Sequence, residues 1–200
     1  MHAPPRWILL IALFTPACVF ELADVVPASD GGHPDGGASI DPGNRTFNPS
    51  FESDVSGWTQ SASMVTRVEL PDAPHGCCVG RVALISGNYY SIRDKPPTIA
   101  SSIAGATYRA SAFVRSAIDP LNPAATMRII LEEDTTQIGN SAYEPLGSSF
   151  VEIRASGQAV TGGLPLSVHL SEYNAVAGDA FYVDVIQVLE ELPDAGSDGG

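Results

Sequence analysis

The sequence predicts an all-β fold in which two sheets pack face to face as a sandwich. Three observations support this prediction. Several segments alternate apolar and polar residues, clusters of Gly, Pro, Asn and Asp separate them, and no long window has the period of an amphipathic helix. Tyrosine, valine and isoleucine, which favour strands, are frequent in the alternating segments.

Segment 108–115 is the clearest predicted strand, and its two faces differ in character. The residues of its apolar face are Tyr108, Ala110, Ala112 and Val114, and those of its mixed face are Arg109, Ser111, Phe113 and Arg115. Segments 127–132 and 166–171 alternate in the same way. Turn signals separate the predicted strands: SGN at 86–88, DKPP at 94–97, AGAT at 104–107, DPLNP at 119–123 and TGGLP at 161–165.

Length and charge limit the classes of protein. The chain has 200 residues, 44% of them hydrophobic, which suffices for one core of ordinary size. Its net charge of −13 argues against nucleic acid as a partner, because binding to a polyanion requires clustered Lys and Arg. The acidity is concentrated in segments 19–43 and 190–200; without them and Arg6 the formal charge is about −5, an ordinary value for a soluble surface.

The N-terminus has the proportions of a secretory signal peptide over residues 1–18. Arg6 precedes the apolar run WILLIALF, residues 7–14, and TPAC follows at 15–18. The apolar run is too short to span a bilayer, which takes roughly 20 apolar residues. We therefore expect the chain to be exported.

TPAC resembles a bacterial lipobox, in which a small residue precedes a cysteine that becomes lipidated. It departs from the usual pattern at Thr15 and Pro16. The resemblance implies a lipid anchor on Cys18, and Val19 after the cysteine implies the outer membrane of the cell envelope. Two alternatives remain open: ordinary cleavage near Ala17 or Ala23, which gives a secreted protein, and an N-terminal helix retained in the fold.

Composition predicts a single domain between two disordered tails. Residues 19–43 are rich in Gly, Pro, Asp and Ser and have almost nothing to bury, so we expect a flexible linker. Residues 44–190 form the predicted sandwich domain, and residues 191–200 repeat the composition of the linker as a disordered tail. We expect the domain to be monomeric.

The three cysteines leave one unpaired if the other two form a disulfide. With Cys18 assigned to a lipid, Cys77 and Cys78 remain, and neighbours on a strand point to opposite faces. We favour one buried thiol and one near the surface over a disulfide between adjacent residues. A metal site of His75, Cys77 and Cys78 is a further alternative, but no second cluster stands at ligand spacing.

Three motifs stand out along the predicted domain: NPSFESDVSGW at 48–58, AGATYRASAFVRS at 104–116 and AFYVDVIQV at 180–188. Together they resemble jelly-roll carbohydrate-binding modules of the xylan- and glucan-binding kind, which have a galactose-binding-domain-like fold. Their order and spacing match the family across the whole domain. The resemblance implies a two-sheet jelly-roll β-sandwich.

The resemblance also implies a structural calcium ion between the first and last strands. The family's ligand positions correspond to Glu52 and Asp184, while Val185 stands where the family has a second aspartate. Calcium prefers several oxygen ligands, and two carboxylates brought together repel each other unless a cation lies between them. The alternative is that Glu52 is an ordinary surface acid and that Asp184 caps a turn or pairs with an arginine.

Sugar recognition requires flat aromatic surfaces and polar side chains that meet hydroxyl groups. We expect Phe51 and Trp58 to lie in the core rather than to serve as sugar platforms. The predicted polar groove is a set of residues from the mixed strand faces, Arg109, Phe113, Arg115, Arg128, Glu132 and His169. The same set also fits a plain solvent face with ion pairs across strands.

A second predicted sugar site consists of loop tyrosines at one end of the sandwich. Tyr89 and Tyr90 follow a turn, and Tyr143 and Tyr173 occupy predicted loops beside asparagines. No strip of tryptophans is present, which argues against tight binding to crystalline polysaccharide.

The sequence contains no catalytic motif that we recognise. It lacks Gly-x-Ser-x-Gly, His-Glu-x-x-His and a phosphate-binding glycine loop. The run Glu132-Glu133-Asp134 ends a predicted strand, where adjacent acids point to opposite faces and do not face each other across a cleft. We therefore predict a non-catalytic, exported carbohydrate-binding lipoprotein. The alternative is a structural or protein-interaction lipoprotein with the same fold and no sugar site.

Overall fold

A computed structural model describes residues 37–119 and 121–193. This part of the chain forms eleven β-strands and no helix, so it has no helix that could cross a membrane. The strands are β1 Trp58–Ser61, β2 Ser63–Glu69, β3 Cys78–Leu84, β4 Tyr89–Asp94, β5 Thr107–Ser116, β6 Thr126–Glu133, β7 Thr136–Asn140, β8 Glu144–Pro145, β9 Val151–Gln158, β10 Leu166–Tyr173 and β11 Ala180–Glu191. The all-β prediction is confirmed.

The strands follow one hydrogen-bonded path, β1-β4-β10-β6-β7-β9-β5-β11-β3-β2, with β8 beside β6. The path folds over on itself to give two layers. We call β1, β4, β10 and β6 the front layer, and β9, β5, β11, β3 and β2 the back layer. Every strand pairing is antiparallel, and the architecture is the predicted jelly-roll sandwich.

Strand β7 carries the sheet from the front layer to the back layer at a corner of two glycines. Gly139 pairs with Gly157 of β9. A Cβ atom on Gly139 would lie 2.3 Å from the Ser156 carbonyl oxygen, and one on Gly157 would lie 2.5 Å from the Ile138 carbonyl oxygen. Only glycine allows the two backbones to approach this closely.

The core lies between the two layers and is built by alternation within each strand. The inward residues of β5, Tyr108, Ala110, Ala112 and Val114, are at most 2% exposed. They share one apolar cluster with inward residues of the front layer, Ile92, Met127, Ile129, Leu131, Val168 and Leu170. The outward residues of β5 and β6 therefore lie on opposite sides of the sandwich.

The segment before β1 closes one end of the core. Phe51 is fully buried and Trp58 is 9% exposed, with ring centroids 5.8 Å apart. The Trp58 indole Nε1 donates to the Asn48 carbonyl oxygen at 3.0 Å, and Asn48 Nδ2 donates to the Ser56 carbonyl oxygen at 2.9 Å. The prediction that both rings are core residues is confirmed.

Strand β11 contains a bulge at Val185. Its register against β5 shifts between Asp184 and Gln187, so that two residues of β11 face Ala112. Val185 is buried and has a φ of 49°, a conformation that β-branched residues rarely adopt. The Ile186 N–H beyond it donates to the Pro49 carbonyl oxygen at 2.8 Å, which ties the first segment to the last strand.

Residues just outside the predicted domain limits, 44 and 190, make contacts with the sandwich. The Ala38 N–H donates to the Pro74 carbonyl oxygen at 2.9 Å, and the Asp41 N–H donates to Gln187 Oε1 at 2.6 Å. Residues 38–43 therefore belong to the domain rather than to the linker, because their backbone finds partners on it. At the other end Glu191 is the last residue of β11. The predicted signal peptide, Cys18, and most of the predicted linker and tail lie outside the described residues.

Candidate functional site

The predicted polar groove does not form, because its residues lie on opposite sides of the sandwich. Arg109, Phe113 and Arg115 project outward from β5 in the back layer. Arg128 and Glu132 of β6 and His169 of β10 project outward from the front layer. Alternation identified the outward face of each strand correctly, but it could not tell which layer each strand joins.

The back-layer arginines are engaged by neighbouring side chains. Arg115 makes two bonds to the Asp72 carboxylate, at 2.7 and 3.1 Å, and its guanidinium stacks on the rings of Phe150 and Tyr182. Arg109 forms an ion pair with Glu191 at 2.9 Å. This surface matches the alternative of a solvent face with ion pairs across strands.

The back layer also carries a groove of about 920 Å³. It runs between segment 39–42 and strands β5, β9 and β11, and no aromatic side chain lines it. A groove without an aromatic ring has no flat surface for the apolar side of a sugar. The back-layer groove therefore lacks the stacking surface that a sugar site requires.

Three tyrosines meet at one end of the front layer, and we call them the tyrosine cluster. Tyr89 begins β4, Tyr173 ends β10, and Tyr143 precedes β8. The Tyr173 ring centroid lies 5.0 Å from that of Tyr89 and 5.2 Å from that of Tyr143. Tyr89 is 39% exposed and Tyr143 is 53% exposed, so the cluster presents aromatic surface to solvent.

Arg128 belongs to the tyrosine cluster as well. Its guanidinium carbon lies 4.4 Å from the Tyr143 ring centroid, and its Nη1 donates to Tyr143 Oη at 3.0 Å. This geometry combines a cation–π contact with a hydrogen bond, which fixes both side chains. Arg128 is thus a member of the predicted groove that the structure places against the exposed ring of Tyr143.

Tyr90 does not reach this surface, and its prediction as a sugar contact is wrong. The side chain is fully buried, because it alternates with Tyr89 and points into the core. Its hydroxyl donates to Glu172 Oε2 at 2.8 Å, and its ring centroid lies 5.5 Å from that of Phe181.

A row of small residues lies next to the tyrosine cluster. Ser61, Ser91 and Ser171 stand in register across β1, β4 and β10 and project outward. We call them the serine row. Ser91 is 5% exposed and Ser171 is fully buried, while Tyr89 Oη lies 3.2 Å from Ser171 Oγ. The short side chains of Ser61 and Ser91 form the floor of a depression.

A polar group closes the other side of the depression. Arg93 lies opposite His169 in the register, and the pair follows the serine row along the strands. Glu132 Oε2 lies 3.6 Å from Arg93 Nη2 and 3.2 Å from His169 Nε2, although the His169 nitrogen makes no hydrogen bond there. We call these three residues the polar group.

His169 is neutral at pH 7. Its partial burial, together with the positive charge of Arg93, lowers the pKa of His169 to about 4. A neutral imidazole both donates and accepts hydrogen bonds, which suits a partner that carries hydroxyl groups.

The depression between these groups is a pocket of about 280 Å³. It is lined by residues of β1, β4 and β10, namely Thr59, Gln60, Ser61, Tyr89, Ser91, Arg93 and His169. Neither Arg93 nor the serine row was among the residues predicted from the sequence. Alternation in YYSIRD places Arg93 on the same face as Tyr89, but only the strand pairing shows that Ser61 and Ser171 stand beside them.

The two predicted calcium ligands lie near the bulge of β11. Asp184 is fully buried, and its carboxylate accepts from the His75 N–H and the Val185 N–H, each at 2.8 Å. Burial, together with the nearby Glu52 carboxylate, raises the pKa of Asp184 to about 7. Glu52 Oε1 is buried and has no hydrogen-bond partner among the described residues. Both observations fit a cation between the two carboxylates.

Cys77 and Cys78 form a disulfide, against the expectation of two separate thiols. The adjacent sulfurs meet because the chain turns at Cys77 before it enters β3. Glu52 lies beside the pair, and its carboxylate oxygen and the two sulfurs fall within 4.8 Å of one another. His75 is not part of this group, since its Nδ1 lies 3.2 Å from the Ala38 carbonyl oxygen.

No family model and no curated protein matches this sequence. Solved structures do match it. The CBM22-1 xylan-binding domain of Paenibacillus barcinonensis Xyn10C is 17% identical with a TM-score of 0.54, and the match covers 72% of this chain and 93% of that one. TmCBM61, solved with β-1,4-galactotriose, is 16% identical with a TM-score of 0.53, covering 74% of this chain and 99% of that one.

The chain has the fold of these carbohydrate-binding modules. A cyclase from Fischerella sp. TAU has the fold too, at 15% identity and a TM-score of 0.59, covering 77% of this chain and 97% of that one. These identities show a common fold alone. Because the fold occurs in binding modules and in an enzyme, it does not by itself decide between binding and catalysis.

Proposed function

We propose that this protein is a non-catalytic carbohydrate-binding protein whose front face holds a segment of a polysaccharide. One observation carries the proposal: exposed aromatic rings, a floor of small residues and polar side chains stand side by side on a single face. The tyrosine cluster lies on one side of the serine row, and the polar group lies on the other.

Each part of the face has a role in sugar recognition. The rings of Tyr89 and Tyr143 offer flat apolar surface to the apolar side of a pyranose. Arg93 and neutral His169 offer hydrogen bonds to hydroxyl groups from the opposite side. The short serines leave the space in which the sugar lies.

The absence of an acid in the pocket supports binding without hydrolysis. Glycoside hydrolysis uses two carboxylates that face each other across the bond. None of the residues that line the pocket is Asp or Glu. The nearby carboxylate of Glu132 lies against Arg93 and His169, and no second carboxylate lines the pocket opposite it.

We propose further that the protein is exported and held at the cell envelope by a lipid on Cys18, in the outer membrane. The basic residue Arg6, the apolar run 7–14 and the sequence TPAC before Val19 support this proposal. The linker that follows would give the sandwich reach from the membrane surface. Mass spectrometry of the N-terminal peptide tests it, since a lipidated Cys18 adds the mass of its acyl chains.

A structural calcium ion is the third part of the proposal. Glu52 and Asp184 would supply carboxylate oxygens, and calcium would supply the positive charge that two close carboxylates require. The ion would join the segment before β1 to the last strand. It would stabilise the sandwich without contact with the sugar, because Asp184 lies in the back layer.

The sugar proposal is tested by a panel of polysaccharides in affinity gels with the full chain. We expect retardation by at least one polysaccharide. Tyr143→Ala should weaken binding about tenfold, because it removes an exposed stacking surface and the partner of Arg128.

Phe113→Ala is the matched control, since Phe113 is an aromatic residue on the outward face of β5 in the back layer. It should bind as the wild type does. Binding that is lost in Phe113→Ala and kept in Tyr143→Ala would contradict the assignment of the front face. No binding to any polysaccharide would favour a structural or protein-binding role.

A further inference from the structure

A disulfide, a carboxylate and an arginine meet where the loop between β2 and β3 ends. Cys77 is exposed and Cys78 is fully buried, and their sulfurs are bonded to each other. Glu52 Oε2 lies 3.4 Å from Cys77 Sγ and accepts from the Cys77 N–H at 3.2 Å. Arg67 Nη2 donates to Cys78 Sγ at 2.7 Å.

We propose that reduction of this disulfide creates a binding site for a thiophilic divalent cation such as Zn²⁺ or Cd²⁺. Its ligands are the Sγ atoms of Cys77 and Cys78 and a carboxylate oxygen of Glu52. These three ligand atoms already lie within 4.8 Å of one another, so they can reach one ion with small movements. The inference does not depend on sugar binding.

The reduction step requires an external dithiol or an equivalent two-electron reductant. A thiolate of the dithiol attacks the exposed Cys77 Sγ, the bond between the two protein sulfurs breaks, and Cys78 leaves as a thiolate. The second thiol of the reductant then releases Cys77 and becomes part of a new disulfide in the reductant. Two electrons and two protons have passed to the protein, and the cation displaces the protons from the thiols.

Arg67 favours both this reduction and the metal complex. Its guanidinium stabilises the Cys78 thiolate as it leaves, because a neighbouring cation favours a thiolate over a thiol. Two thiolates and the Glu52 carboxylate carry three negative charges, and Arg67 offsets one of them. A divalent cation neutralises the other two, while the Arg67 N–H remains bonded to a ligand sulfur.

The surrounding backbone keeps Glu52 in position for the ion. Arg67 Nε donates to the carbonyl oxygens of Phe51 and Glu52, at 3.1 and 3.0 Å. Gly76 has a φ of 61°, and a Cβ atom on it would lie 2.4 Å from the Glu52 carboxyl carbon. The glycine therefore leaves room for the carboxylate beside the sulfurs. Glu52 Oε2, which lies 3.4 Å from Cys77 Sγ, is the carboxylate oxygen that would bind the ion.

Cobalt titration of the full chain tests the proposal, with Cys18→Ser as background so that only two cysteines remain. The protein is reduced with a phosphine, freed of excess reductant without air, and titrated with Co²⁺. We expect one equivalent to bind with thiolate-to-cobalt charge-transfer absorption, and Cd²⁺ or Zn²⁺ to displace it. The oxidised protein should give no such absorption, because a disulfide sulfur is not a thiolate.

Variants test the proposed metal ligands one at a time. Cys77→Ser changes an exposed residue, so it should fold normally by circular dichroism and lose the charge-transfer band. Glu52→Gln should weaken Co²⁺ binding at least tenfold, and Glu144→Gln, an exposed acid on β8, should not.

Reduced protein with no charge-transfer band, or an equal band in oxidised protein, would overturn the proposal. If reduced Glu52→Gln bound Co²⁺ as tightly as the reduced wild type, Glu52 would not be a ligand and the three-ligand site would be wrong. The calcium proposal can be told apart, because calcium gives no charge-transfer band and needs no reduction.

Discussion

Glu172 is a buried acid near the end of β10 in the front layer. Its carboxylate accepts a hydrogen bond from Tyr90 Oη at 2.8 Å and is 1% exposed. Burial, with a further contribution from the negative charge of Asp179, raises the pKa of Glu172 to about 7, from an ordinary value of 4.5. The folded protein therefore holds a proton that the unfolded chain releases at lower pH.

This difference in proton binding makes stability depend on pH. The stabilisation from Glu172 is fully present below pH 4.5 and is lost as pH rises through about 7. Glu172→Gln cannot ionise. We expect the free energy of unfolding of the wild type to fall relative to that of Glu172→Gln by on the order of 2 kcal/mol between pH 5 and pH 8. Urea unfolding at the two pH values measures this.

Comparing the wild type with Glu172→Gln gives the contribution of Glu172 alone, although other residues also titrate in this pH range. Asp184, whose pKa is about 7, contributes in the same direction, and His169, whose pKa is about 4, contributes in the opposite direction. Both residues are present in the wild type and in the variant, so their contributions to the pH dependence cancel when the two proteins are compared. Glu144→Gln, which changes an exposed acid, is the control and should have the same pH dependence of unfolding free energy as the wild type. If Glu172→Gln also had the pH dependence of the wild type, Glu172 would be ionised in the folded state.

Single residues show what the sequence could predict and what it could not. The burial of Phe51 and Trp58 could be predicted from the sequence, because large aromatic residues next to the turn that begins a strand are commonly buried. Tyr89 and Tyr90 look alike in sequence, and only the phase of the alternation in β4 separates them. The phase depends on where β4 begins, which a turn signal fixes only to within a residue or two.

At the scale of elements, the glycine corner between β7 and β9 decides whether the sheet can close. We expect Gly157→Ala to lower the free energy of unfolding by about 1–3 kcal/mol, because the new Cβ would meet backbone atoms of Ile138 and Gly139 that cannot move aside. Denaturant unfolding measures the loss.

Gly147→Ala is the matched control for this substitution. A Cβ atom on Gly147 would have nothing within 4 Å, so the variant should unfold within about 0.5 kcal/mol of the wild type. Equal stability of Gly157→Ala and Gly147→Ala would mean that the two strands do not approach as closely as described.

The elements also explain why the predicted groove was wrong. Strand periodicity is a local signal and correctly gave the inward and outward faces of β5, β6 and β10. Strand pairing is a contact between distant segments, and the sequence carries no local signal for it. Arg109 and Arg128 therefore look equivalent in sequence, although they lie on opposite sides of the sandwich.

At the scale of the whole molecule, the proposed calcium ion would join the two ends of the domain. Millimolar calcium should raise Tm by roughly 5–10 °C over a chelator in the wild type, because an ion that binds only the folded state stabilises it. Glu52→Gln should abolish most of this rise, since it removes one of the two carboxylates. Equal Tm with calcium and with chelator in the wild type would contradict the calcium site.

The fold class was predictable at this scale because one signal repeats along the chain. Alternating strands, turn clusters and the three motifs all point to the same sandwich. The ordered start of the domain was not predictable, because residues 38–43 have the composition of a linker and gain their order from hydrogen bonds to Pro74 and Gln187.

Nuclear magnetic resonance can show directly whether the front face binds a polysaccharide. Amide shifts of the uniformly labelled protein are followed as xylan, galactan and glucan oligosaccharides are added in turn. We expect one oligosaccharide to shift the amides of Ser61, Ser91, Ser171 and Tyr173, and to leave those of Ser111 and Ser156 in the back-layer groove unchanged. Shifts confined to the back-layer groove, or none with any oligosaccharide, would contradict it.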